Sequence, residues 1–109
     1  MKYEHLARRW WRNQAESTID AQLAPSRSWV RTEIRVDNLA RDPGSLAKIV
    51  EALVATAPSK DDLPYVGTSV LETSSFVLGR TTLDIFENSK VPDEQRRHVL
   101  RGFAHPLDG

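Results

Sequence analysis

Proline and glycine cut this chain into pieces of helix length. Pro25, Pro43-Gly44, Pro58, Pro64, Gly79, Pro92 and Pro106 fall at intervals along it. Each either lacks the N–H a helix interior needs or relaxes the backbone into a stop. Between these marks the apolar residues return every third or fourth position, which is the period of a helix buried on one face. The sequence is 109 residues long, the size of one domain. The expected fold is therefore a single all-α domain, residues 1–109, built from about six short helices.

The pieces can be read one by one. From about Tyr3 to Leu23, the residues Ala7, Trp11, Ala15, Ile19 and Leu23 make one apolar face, widened by Leu6 and Trp10. Ser17-Thr18 is a point where that helix can divide. Ser28 to Ala40 carries two patterns at once. Val30, Thr32, Ile34 and Val36 alternate as in a half-buried strand. Trp29, Thr32, Val36, Leu39 and Ala40 lie on one helical face. No other segment offers a strand partner for its backbone groups, so the helix is expected. Asp42 and Pro43 are placed as N-cap and first residue of a third helix, with Leu46, Ile49, Val50, Leu53, Val54 and Ala57 as its stripe. A fourth helix follows Ser59-Lys60-Asp61-Asp62, with Leu63, Val66, Val70 and Val77 on one side and Leu71 and Leu78 beside them. Gly79 is the left-handed stop. Thr81-x-x-Asp84 resembles a capping box opening a fifth helix that carries Leu83, Ile85 and Phe86. Pro92-Asp93-Glu94 opens a sixth, with Val99, Leu100 and Phe103. Short connections of two to six residues imply antiparallel neighbours. The architecture expected is a compact bundle or a pair of HEAT-like helical hairpins closed by the first helix.

Composition removes several function classes. There is no cysteine, which excludes disulfides, thiol nucleophiles, iron–sulfur clusters and thiolate zinc sites. Fifteen basic and fifteen acidic residues sum to zero, which argues against a polycationic nucleic-acid binder at the level of the whole chain. No apolar run approaches the roughly 20 residues of a membrane span. Met1 to Arg12 has no apolar stretch of the kind a secretory signal carries, so a cytoplasmic protein is expected.

The charge is nevertheless segregated. Residues 1–41 hold eight Lys/Arg against five Asp/Glu, and residues 42–90 hold four against seven. This fits an ordinary mixed surface, or a domain that offers its middle segment to a basic partner.

No catalytic constellation stands out. The histidines are His5, His98 and His105. Glu94 and His98 are one helical turn apart, but Pro106 unwinds the chain around His105 before a metal site can close. That region reads as a solvated helix end with a cation near its C-terminus. Ser74-Ser75 lacks a base and the glycines of a nucleophile elbow. Neither an enzyme nor a metal or other cofactor is expected.

Binding residues are easier to nominate. Arg8-Arg9-Trp10-Trp11-Arg12 interleaves basic and aromatic side chains. On a helix Trp11 faces the core, while Arg8, Arg9 and Arg12 face out and suit phosphates. Trp10 lies at the edge of the face, either as core or as an exposed anchor beside arginines. Gly67 inside a helix costs about 1 kcal/mol relative to Ala and usually admits a close helix neighbour. Glu72 reads as a hydrogen-bonded structural carboxylate or as an acidic contact. Asp61, Asp62, Asp84 and Glu87 lie near helix starts, where the dipole favours them; Asp61, Asp62 and Glu87 are also candidate contacts for a partner.

Asp62 to Phe103 resembles a family of small helical bacterial domains marked by an Ala-Gly-Pro-Leu-Glu-Asp-Leu-Leu segment. Gly67 and Leu71-Glu72, in Val-Gly-Thr-Ser-Val-Leu-Glu, look like its counterpart with one extra residue between Gly and Leu-Glu. Thr73 stands where the family has Asp, and the family's Pro is missing. Leu83 to Asn88, Val91 to Arg96, Leu6 to Trp11 and Asp42-Pro43 look like its remaining helix signals. The resemblance implies an all-helical fold and no assigned activity. Domains of this look often accompany bacterial toxin and defence genes, which implies an immunity or antitoxin-like role. The expected function is a non-enzymatic domain that binds a protein partner, such as a toxin, through Asp61, Asp62, Glu72, Glu87 and Trp10. The alternative is a nucleic-acid module using Arg8, Arg9 and Arg12.

Overall fold

The computed structural model describes residues 2–15 and 27–103, and every described regular element is helical. Helix α1 spans Lys2–Ala15, α2 Arg27–Ala40 and α3 Leu46–Ala55. A single 3-10 turn, Lys60–Asp62, leads into α4, which runs Leu63–Val66, then a π-helical Gly67–Leu71, then Glu72–Leu78. Helices α5 (Thr81–Glu87) and α6 (Asp93–Leu100) complete it. Ser17-Thr18, Ile19, Leu23, Pro25, His105 and Pro106, and the side chain of Trp29, lie outside the described residues.

One apolar interior joins the six helices of the described residues. Ala7, Trp10 and Trp11 enter it from α1, Val36 and Ala40 from α2, and Leu46, Ile49, Val50, Leu53 and Val54 from α3. Leu63, Val66, Val70 and Leu71 enter from α4, Phe86 from α5 and Val99 from α6. Helix α1 packs on α2 and α3, α3 also on α5, and α4 on α2, α5 and α6. Tyr3 shares a groove with Leu39 while Gln14 bonds Glu33, so α1 and α2 form an antiparallel hairpin. Gly67 meets Val99 and Pro64 meets Gly102, so α4 and the end of α6 are antiparallel too.

The ambiguous second segment resolves as a helix, and burial shows why. Thr32, Val36 and Ala40 are buried, whereas Val30 and Ile34, which a strand would turn inward with them, are 38% and 53% exposed. The helical face won because it gathers more apolar surface on one side.

Helix α4 departs from expectation in its second half. Val77 is 58% exposed, and Ser74 and Ser75 are buried instead. The π turn is the reason. The Glu72 N–H bonds the Gly67 carbonyl five residues back. A turn of that kind adds a residue without adding a turn, so the inward face arrives about one residue late. Ala15, expected on the core face of α1, is likewise exposed, as it is the last residue of the helix.

Two start signals also work differently from expectation. Asp42 and Pro43 precede α3 rather than open it. The Asp42 carbonyl accepts the Ser45 and Leu46 N–H groups at 3.1 and 2.9 Å, and its carboxylate accepts the Ser45 hydroxyl at 2.7 Å. Thr81 is already inside α5, after Arg80, and no side chain caps that helix. At Gly79 the stop is as expected in sign, with φ +58° and ψ −135°, a conformation that only glycine adopts without strain.

Candidate functional site

Two grooves of opposite character each take one wall from α1. The first is acidic and aromatic. Trp11, Gln14 and Ala15 of α1 face Pro58, Asp61 and Asp62 of the connection and Tyr65 of α4 across an open groove. The approach to α4 positions the two carboxylates. Asp61 is exposed, and Asp62 accepts the Ser59 hydroxyl at 2.9 Å, which ties the turn back on itself.

The wall of this groove is a hydrogen-bonded network. The Tyr65 hydroxyl donates to Gln14 Oε1 at 2.8 Å. Gln14 Nε2 donates to Glu33 Oε1 at 2.7 Å and to the Trp10 carbonyl at 3.2 Å. Burial raises the Glu33 carboxyl above its ordinary value; hydrogen bonds from Gln14 and Trp10 oppose this, and the Asp37 charge adds to it. Trp10 packs on Tyr65 with ring centroids 5.4 Å apart and meets Trp11 edge to face at 4.8 Å. The Trp11 indole N–H donates to the Leu53 carbonyl at 2.8 Å, which satisfies its polar end inside the core.

These contacts correct one expectation. Trp10 is 2% exposed and is not a surface anchor. Ala7, Trp10 and Trp11 are all buried in the same core cluster, so this face of α1 turns both tryptophans inward. The exposed aromatic beside the acidic pair is Tyr65.

The other acidic candidates do not converge here. Glu72 is half-buried on α4 and makes no ion pair among the described residues; its carbonyl accepts the Ser75 hydroxyl at 2.8 Å. Glu87 is exposed at the end of α5 in another groove, with Asn88, Asp93, Arg96, Arg97 and Leu100. The Arg96 guanidinium closes that end by donating to the Glu87 carbonyl and to the Asp93 carboxylate. Ser74 is buried and hydrogen-bonded to Thr82 at 2.9 Å, so its hydroxyl is a packing link.

The second groove is basic. Leu6 and Arg9 of α1 face Arg31, Thr32, Ile34 and Arg35 of α2. Leu6 and Arg35 also belong to an adjoining groove with Tyr3, Asn38 and Leu39, so the two are continuous along the α1/α2 seam. Arg8 does not take part; it pairs with Glu4 at 2.6 Å, one turn earlier on α1. Arg12 is exposed. The N-terminal arginines are therefore divided, and Arg9 instead joins two arginines that lie far away in sequence. The signal that finds Arg31 and Arg35 is their four-residue spacing, once α2 is known to be a helix with Thr32 and Val36 inward.

Comparison with known proteins finds no family model, no curated protein and no solved structure that matches this chain.

Proposed function

We propose that this protein is a non-enzymatic recognition domain that neutralises or regulates a protein partner, in the manner of a bacterial immunity protein or antitoxin. The observation that carries this reading is the meeting of Asp61 and Asp62 with Tyr65, Gln14 and Trp11 in one open groove. Two carboxylates over an aromatic wall suit a basic segment of a partner, with lysine or arginine paired to the acids and stacked on the tyrosine ring. The wall is held from behind by the Tyr65–Gln14–Glu33 bonds, so little ordering is left for the moment of binding.

The test is titration calorimetry against the protein encoded by the neighbouring gene, at low and high salt. Affinity is expected to fall with salt and to fall at least tenfold in Asp61→Lys/Asp62→Lys. An unchanged affinity in that variant, or no binding by the folded wild-type domain, overturns the reading.

A further inference from the structure

We infer that the α1/α2 seam is a second docking site, built for an amphipathic helix of a protein partner that carries a leucine-type ridge flanked by acidic residues. This goes beyond the reading above, because the seam shares no lining residue with the Asp61–Tyr65 groove. Three observations point the same way. First, Arg9, Arg31 and Arg35 line the seam, no acidic residue lines it, and none of the three makes an ion pair among the described residues. Guanidinium groups that line one groove without an acidic partner favour an anionic occupant.

Second, apolar side chains interrupt that charge. Leu6 and Leu39 are half-buried along the seam, and Ile34 is 53% exposed between Arg31 and Arg35. Such a floor has no use for a sugar-phosphate backbone, and the zero net charge of the chain provides no general attraction to a polyanion. It suits apolar residues placed one turn apart. Third, the seam has the dimensions of a helix site. Tyr3, Leu6 and Arg9 follow at three-residue steps along α1, about 9 Å in all at 1.5 Å per residue. The antiparallel α2 supplies the facing wall at similar steps. Two turns of a helix laid between two others is a common mode of peptide recognition.

The experiment is fluorescence anisotropy with a labelled 20-residue helical peptide bearing a leucine ridge flanked by glutamates. Its comparators are a scrambled peptide of the same composition and 20-nucleotide single-stranded and duplex DNA. The ridge peptide is expected to bind at least tenfold more tightly than the scrambled peptide and both DNA probes. Arg31→Glu/Arg35→Glu and, separately, Ile34→Ser are each expected to weaken it at least tenfold; all three positions are exposed, and an unchanged circular dichroism spectrum confirms the fold. Asp61→Lys/Asp62→Lys is expected to leave peptide affinity unchanged, which separates this site from the acidic groove. No binding, equal binding of the scrambled peptide, or tighter binding of DNA overturns the proposal. So does a dimer in sedimentation that Arg31→Glu dissociates, since the occupant is then a second copy of the chain.

Discussion

Gly67 lies so close to the carbonyl of Val99 that a Cβ at that position would overlap the oxygen. The partner relation repeats one turn away, where a Cβ on Gly102 would overlap the carbonyl of Pro64. The two glycines let α4 and the end of α6 touch backbone to backbone, and Thr68 closes the crossing by donating its hydroxyl to the Gly102 carbonyl at 2.7 Å. Helix propensity alone says that Gly67→Ala stabilises by about 1 kcal/mol. The obstacle is a backbone carbonyl, which cannot swing aside as a side chain can. Steric conflict therefore wins, and Gly67→Ala is expected to destabilise by about 1–3 kcal/mol. Urea denaturation decides it, and a raised midpoint would show that the crossing has slack.

The hydroxyls of Ser74 and Thr82 are both buried and lie 2.9 Å apart, joining α4 to α5. Removing one leaves the other without that bond inside an apolar interior. Ser74→Ala is expected to cost about 1–2 kcal/mol. Thr82→Val adds an apolar methyl in place of the hydroxyl, so the double variant is expected to be closer to wild type than the two single losses sum to. A double-mutant cycle in urea measures that coupling. By contrast, Val77→Ser on the exposed side of the same helix is expected to stay within about 0.5 kcal/mol.

The helices were legible wherever one pattern ruled a whole segment. The stripe Leu46, Ile49, Val50, Leu53 and Val54 is buried throughout, because local spacing and global packing ask for the same side. Val77 was misplaced because a fixed 3.6 period carries no trace of the π turn at Gly67–Leu71, which begins at the glycine that meets α6. Gly67 itself was readable as a close-approach residue; its partner was not, since Val99 is distant in sequence. The same limit applies to the grooves. Asp61 and Asp62 announced an acidic turn with Tyr65 close behind in sequence, but Trp11 and Gln14 join them only through the packing of α1 against this segment. Arg31 and Arg35 stayed hidden behind the choice between strand and helix for their segment.

Trp11 ties α1 to α3 through its indole N–H, donated to the Leu53 carbonyl at 2.8 Å. The α3 helix is ending there, so that carbonyl lacks its full set of helical partners. Trp11→Phe keeps most of the apolar volume and removes the donor, with an expected loss of about 1–3 kcal/mol. Trp10→Ala empties a larger volume with no exposed edge to refill it and is expected to cost about 3–5 kcal/mol. Denaturation midpoints should therefore rank wild type above Trp11→Phe and Trp11→Phe above Trp10→Ala. A Trp10→Ala protein as stable as wild type would mean that the ring is not part of the core.

Glu33 gives the fold a dependence on pH whose sign can be worked out. Its carboxyl is raised above the ordinary value, first by burial and then by Asp37, against the hydrogen bonds from Gln14 and Trp10. Between the unfolded value and the higher folded one, the native state holds the proton more tightly than the unfolded chain does. Stability from this group is thus fully present below the unfolded pKa, and it is lost as pH rises through the folded pKa. Glu33→Gln removes the charge and keeps an oxygen to accept from Gln14. Relative to wild type, the variant is expected to gain stability on going from pH 4 to pH 7. Urea titrations of both proteins at the two pH values test this, and a difference that stays constant or moves in favour of wild type at pH 7 would contradict it.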